Sequence, residues 1–304
     1  MAPSPNHTRG IMLMLLAMLM FTSSDAVGKW LVSTYPVGQL LAIRSFAALA
    51  VLLPIALYKS DTPHIFSIQQ PGMQSLRLLL VIAEVSCFYW SVKFLPLADV
   101  FMFYLASPLF LTAFSVIILH EHVGARRWAA LGIGFLGVIV IFPPSTAALS
   151  LPALIALGGS VTLALMLTLT RSLSNKTDGL TLITLQTLAV GLAGLATLPF
   201  THLIPNLAWI TPNLLDFSLL CLLGFLATIA HFMMNSAITI APSAVVAPYQ
   251  YTSIVWAIIL GYLIWDDFPE TQALMGAALI IGSGLFVLYR EQKKKENMIA
   301  TPLD

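Results

Sequence analysis

Charge is what this sequence has least of. Asp, Glu, Lys and Arg make up 9% of its 304 residues, whereas a soluble domain carries roughly a quarter. With 59% apolar residues and a mean hydropathy of +0.92, there is too little polar surface to wet a body of this size. Most of the outside is therefore expected to face lipid. Basic and acidic residues number 14 and 13, and this balance excludes both the basic field of a nucleic-acid binder and an acidic disordered tail. The two cysteines, Cys87 and Cys221, both lie in apolar runs, which excludes a disulfide framework and a thiolate metal site. No G-x-x-x-x-G-K-[ST] loop, H-E-x-x-H or G-x-S-x-G is present, and no loop is long enough for a nucleotide-hydrolysing domain. His120 and His122 flank Glu121 at a loop edge rather than pairing as ligands within a span. ATP-driven transport by this chain alone is thus excluded, and no catalytic residue, metal or cofactor is expected.

Long apolar runs are what the sequence does have. A hydrocarbon layer about 30 Å thick needs roughly 20 helical residues to cross it. Ten such runs occur, at approximately 11–32, 37–58, 75–93, 97–119, 126–142, 151–170, 179–199, 217–238, 243–264 and 271–290. Their continuity favours helices over the alternating strands of a barrel. Arg9 before the run from Ile11 imitates a secretory signal, but the run continues past Asp25 to Trp30 without a small-x-small cleavage pattern, so it is expected to be retained as the first span. Arg9, Lys59, Arg77, Arg126, Arg127, Arg171, Lys176, Arg290 and Lys293 to Lys295 fall on one side, whereas loops 143–150 and 200–216 on the other side hold no Lys or Arg. The positive-inside bias puts both termini in the cytoplasm, with Lys93 the dissenting residue.

A shift of 146 residues lays 94–140 on 240–286, matching Pro96 to Pro242, Ala98 to Ala244, Ser107 to Ser253, Ile118 to Ile264 and Glu121 to Asp267. Five spans per half is an odd number, so the second half would enter the bilayer inverted, as in many secondary transporters. The expected fold is all-α integral membrane, with ten transmembrane helices as two inverted five-helix repeats. The repeats are 1–146 and 147–290, followed by a basic cytoplasmic tail over 291–304.

At Ala247-Pro248-Tyr249-Gln250-Tyr251-Thr252-Ser253, Gly261-Tyr262, Asp267-Phe268-Pro269-Glu270 and Gly276 to Ile281, the chain resembles the second repeat of EamA-type members of the drug/metabolite transporter superfamily. Leu95-Pro96-Leu97-Ala98-Asp99, Ser107-Pro108 and Glu121 resemble the first repeat, and Tyr35-Pro36-Val37 with Arg44 resembles its turn into the second span. His120 and Asp266 stand where the family often has glycine. The resemblance implies a carrier and leaves its substrate open among riboflavin-, S-adenosylmethionine- and amino-acid-like compounds, metallophores and drugs.

Ionisable groups at membrane depth are costly and mark functional positions. Glu84 lies near the middle of the third span, where a carboxyl can be neutral in one conformation and ionised in another, as proton coupling requires; alternatively it only ties helices together. Arg44, in the second span, is suited to clamp a substrate carboxylate or phosphate, or else to neutralise Asp25 or Glu84. Asp25 and Lys29 are four apart on one helix face and are expected to pair with each other, or to act as a gate. His231, with Asn235 one turn on, is a candidate proton relay or packed histidine, and the Gln250 amide can both donate to and accept from a ligand. Pro108 and Pro248 free helix carbonyls that either line a cavity or merely kink a span. Among the aromatics, Tyr104, Tyr249 and Trp256 are deep enough to stack on a ligand, while Tyr89, Trp90 and Tyr251 suit interfacial anchors. Gly132, Gly134, Gly137, Gly282 and Gly284 suggest close crossing of spans five and ten.

The expected function is secondary transport of a small polar or zwitterionic metabolite across a bacterial-type inner membrane by alternating access, with protons as a candidate coupling ion. Its partners are the solute and the bilayer, without nucleic acid, and the chain is a monomer or homodimer. A drug or metallophore exporter of the same fold is the alternative, and a membrane-embedded enzyme or a scaffold the remote one.

Overall fold

With no water in a bilayer core to satisfy backbone groups, each apolar run closes its hydrogen bonds within itself as a helix. The computed structural model describes residues 5–59, 70–119, 125–141, 150–173, 177–201, 208–241 and 243–300. Its helices are α1 (Pro5–Val32), α2 (Val37–Lys59), α3 (Pro71–Val92), α4 (Leu97–Tyr104), α5 (Ser107–Leu119), α6 (Ala125–Ile141), α7 (Leu151–Leu173), α8 (Gly179–Leu195), α9 (Leu214–Ile240), α10 (Ser243–Val246), α11 (Thr252–Trp265) and α12 (Thr271–Ala300). Among the described residues, eight helical segments are long and apolar enough to cross a membrane, and Trp128–Ile141 and Thr271–Val287 are shorter apolar helices. Three of the eight are composite: α4 and α5 form Leu97–Ile118, α8 with the 3-10 turn Leu198–Phe200 forms Gly179–Phe200, and the 3-10 turn Ala247–Tyr251 with α11 forms Ala247–Trp265. The expected run of 243–264 as one α-helix is corrected here. Pro248 has no N–H for the Ala244 carbonyl, and the backbone tightens to 3-10 before α11 begins.

The ends have local causes. Pro71 opens α3, Asp178 caps α8 by accepting from Leu180 N at 3.0 Å, and Asn213 caps α9 by accepting from Asp216 N at 2.8 Å. Asp266, with φ of 57°, stops α11 in the left-handed region. The turns after Val32 and Val92 are too short for anything but an antiparallel return, so Tyr35, Lys93 and Asp267 share one end of the bundle and Arg9 lies at the other, called here the amino-terminal end.

Helix α1 packs on α9, α3 on α7, α2 on α8 and on α9, α6 on α12, α4 on α11, and α5 on α7. The buried core draws on both sequence halves, from Leu31, Leu40, Tyr89 and Val100 to Leu220, Leu223, Ala257 and Ile280. Leu57, Leu79, Ile117, Ile139, Leu263 and Met275 face outward, as lipid contact requires. The α6–α12 seam is set by Gly137 and Gly276, where an added Cβ would come 2.8 Å and 2.6 Å from the facing carbonyl oxygen. Of the glycines expected there, Gly134 meets Leu109 and Ser283, Gly284 meets Tyr251, and Gly132 and Gly282 meet nothing. Those last two do not set the crossing. His120, Glu121, His122 and Pro242 lie outside the described residues.

Candidate functional site

One stripe of α1, at spacings of three and four, carries Met14, Met18, Phe21, Asp25 and Gly28 toward the interior. Gly28 is required there, because a Cβ would collide with the ring of Tyr89. The Tyr89 side chain, 1% exposed, is the hub of the site. Its hydroxyl accepts from Arg44 Nη1 at 2.6 Å and donates to Asp25 Oδ1 at 3.1 Å. The Arg44 guanidinium also lies over its ring, 5.1 Å from the centroid. Arg44 comes this deep because α2 and α9 nearly touch at Gly224, where a side chain would strike the Arg44 carbonyl.

Glu84 sits beside this cluster on α3 and feels the charges of Asp25 and Arg44. Among the described residues, its carboxylate accepts no hydrogen bond. The Tyr104 hydroxyl donates instead to the Glu84 backbone carbonyl at 3.2 Å. His231 feels the charge of Arg44 and sets its ring edge-on to Phe21, with centroids 4.8 Å apart. The cluster thus brings together two acids and one arginine, so with both acids ionised it is one positive charge short. That missing charge suits a proton or a cationic group of a bound solute.

Toward the amino-terminal end the surroundings of the cluster turn apolar. Phe21, Met233, Met234, Tyr249 and Trp256 pack against Met14, Met18, Ala237 and Val246. The Trp256 Nε1–H is buried without an acceptor among the described residues. Asn235 and Gln250, expected in the site, are instead exposed. Among the described residues, no group of three or more His, Cys, Asp or Glu converges as metal ligands.

The expected Asp25–Lys29 pair is corrected. One turn apart on α1, they serve different centres. Lys29 Nζ donates to Asp267 Oδ2 at 3.3 Å and to the Leu95 carbonyl at 3.0 Å, and lies 4.8 Å from the Trp265 ring centroid. The end of α11 and the turn that follows it outcompete the i,i+4 neighbour because Asp267 and Trp265 offer an acceptor and an aromatic face together. Three further residues depart from their sequence reading. Tyr89 is the most enclosed aromatic of the site rather than an interfacial anchor. Asp267 is the partner of Lys29 rather than only a loop acid. Arg77, read as a loop charge, is buried between α3, α7 and α8. Its position near the start of a span hid it.

The sequence profile of the EamA-like transporter family matches residues 8–142 and again 150–289. The chain belongs to this family. As an EamA-like protein it is a multi-pass membrane transporter and not an enzyme. It is 25% identical over 287 residues to the S-adenosylmethionine uptake transporter of Rickettsia prowazekii, covering 94% of this chain and 95% of that one. It is 26% identical over 290 residues to the riboflavin transporter of Vibrio cholerae, covering 94% and 95% respectively. A solved crystal structure shares the fold with a TM-score of 0.63 at 17% identity, covering 92% of this chain and 98% of that one.

Proposed function

We propose that this protein is a secondary transporter of the bacterial inner membrane that carries a small polar or zwitterionic metabolite by alternating access, with Glu84 exchanging the coupled proton. The observation that carries the reading is the part-buried Asp25–Tyr89–Arg44 chain, centred on the enclosed Tyr89, beside a Glu84 whose carboxylate accepts no hydrogen bond among the described residues. Arg44 holds an acidic group of the solute, Glu84 holds a cationic group or a proton, and the Phe21, Tyr249 and Trp256 region takes the less polar part. A relative named for S-adenosylmethionine uptake and another named for riboflavin transport fit a solute with a flat ring and charged or polar ends.

Two inverted halves, 1–146 and 147–290, supply the moving parts. Support comes from the packing pairs: exchanging first-half helices for their second-half counterparts turns α1 on α9 into α7 on α3, and α2 on α9 into α8 on α3, both of which occur. Helices α2 on α8 and α6 on α12 map onto themselves. The break after Leu105 coincides, at the 146-residue shift, with Tyr251 at the end of the 3-10 turn. The amino-terminal end is assigned to the cytoplasm by its Lys and Arg bias.

The opposite end is closed by bonds between the halves: Lys29 to Asp267, Tyr35 Oη to Asp216 Oδ2 at 2.7 Å, Gln39 Nε2 to the Ile210 carbonyl at 2.6 Å and Gln272 Nε2 to the Val140 carbonyl at 3.0 Å. The test is uptake of labelled riboflavin and S-adenosylmethionine into proteoliposomes under an imposed proton gradient. Saturable accumulation that Arg44→Gln abolishes supports the reading. If neither these nor a panel of amino-acid-derived zwitterions is moved or bound, the reading fails.

A further inference from the structure

Arg77 is a fully buried charged group that the central site does not use. It is 1% exposed and lies about two turns into α3 from the amino-terminal end. Its Nε donates to Thr170 Oγ1 at 2.7 Å and its Nη2 to Gln186 Oε1 at 2.7 Å. Contacts from Nη1 and Nη2 to the Leu182 carbonyl are long, at 3.4 and 3.5 Å. All these partners are neutral, and among the described residues no carboxylate reaches the guanidinium. A buried cation without a counter-charge is expensive, by several kcal/mol, and a neutral donor would tie the three helices together at less cost. Gln74, three residues earlier on the same face of α3, is 3% exposed, and among the described residues neither its Nε2 nor its Oε1 has a hydrogen-bond partner. The two side chains hold more donors than the closed packing uses. Glu84 follows Arg77 by seven residues, on the same face and about 10 Å along the helix.

We propose that Arg77 and Gln74 form a second binding site, for an oxyanion, at the amino-terminal end. It receives a carboxylate or phosphate when α3 parts from α7 and α8. Its role as a station that the acidic group of the cargo reaches after leaving Arg44 rests on the carrier reading; the site itself does not.

The experiment is thermal unfolding of the purified full-length protein in detergent. Sodium phosphate and sodium acetate are titrated against sodium chloride at equal ionic strength. A parallel arm uses phosphatidylcholine nanodiscs with and without phosphatidylglycerol. The expected result is a saturable rise in Tm of roughly 2–4 °C, present in wild type and in Arg44→Gln. Gln74→Leu removes two unpaired buried atoms, so its Tm without the anion is equal or higher, and it loses the response. Arg77→Lys keeps the charge but not the fork, and weakens the response about tenfold in midpoint. A response to phosphate or acetate identifies a free or cargo acid, and one confined to phosphatidylglycerol identifies a lipid headgroup. No response in either arm, or one that Gln74→Leu leaves intact, overturns the site. Since the readout is binding without transport, a missing response leaves the carrier reading standing, and failed transport leaves this site standing.

Discussion

Tyr89 connects the cation of α2 to the acid of α1 through a single hydroxyl, so removing that oxygen separates two charges while leaving the ring in place. Tyr89→Phe is expected to cost about 1–3 kcal/mol of stability and to lower kcat/KM for uptake roughly tenfold or more, read by thermal unfolding and by initial rates in proteoliposomes. Glu84→Gln makes a different prediction. Its carboxylate supports no hydrogen bond among the described residues, so the variant should fold with unchanged stability yet take up solute at a rate indifferent to an imposed pH gradient; a gradient response equal to wild type would remove Glu84 from coupling. Glu84, Arg44 and Asp25 were legible in the sequence because a charge in an apolar run stands out whatever it bonds to. Tyr89 was not, since tyrosine belongs equally at an interface and in a core. Which acid Lys29 chooses was also illegible, because helical spacing names only neighbours on the same helix.

Helices α6 and α12 approach through Gly137 and Gly276, whereas Gly132 on the same helix faces open space. Gly137→Leu is therefore expected to lose about 1–3 kcal/mol by overpacking, and Gly132→Leu to leave the melting temperature unchanged; equal losses would mean that the seam lies elsewhere. The 3-10 turn at Ala247–Tyr251 is imposed by Pro248, so Pro248→Ala should let α-helix run through it, turning the Tyr249 side chain away from Met14 and Met18. A loss of affinity with retained folding, read as a raised KM, is the expected outcome. Span positions were legible to within a few residues because hydropathy and length define them. The composite spans were not, since a proline in a membrane helix is compatible with a kink as well as with a 3-10 turn. Which glycines meet depends on helix rotation, which an apolar helix does not encode in its pattern.

Across the whole molecule, the Lys29–Asp267 ion pair joins the sequence halves at the end bearing Tyr35, Arg77 ties them to each other at the amino-terminal end through Thr170 and Gln186, and the central charges lie between the two. A carrier closed at one end by such a latch opens there when the latch is weakened. Where these polar contacts fall was not readable in advance, since hydropathy locates spans but does not say which side chains of different helices meet. The most direct measurement of the central claim places a cysteine at Phe21, on the chamber stripe of α1, in a background without Cys87 and Cys221. A membrane-impermeant thiol reagent is then applied from each side of sealed vesicles, with and without Asp267→Asn. The account predicts that the weakened latch raises labelling from the opposite side several-fold and lowers it from the amino-terminal side. Labelling that rises from both sides together, or that occurs from neither side in any condition, would contradict a chamber opened alternately to the two faces of the membrane.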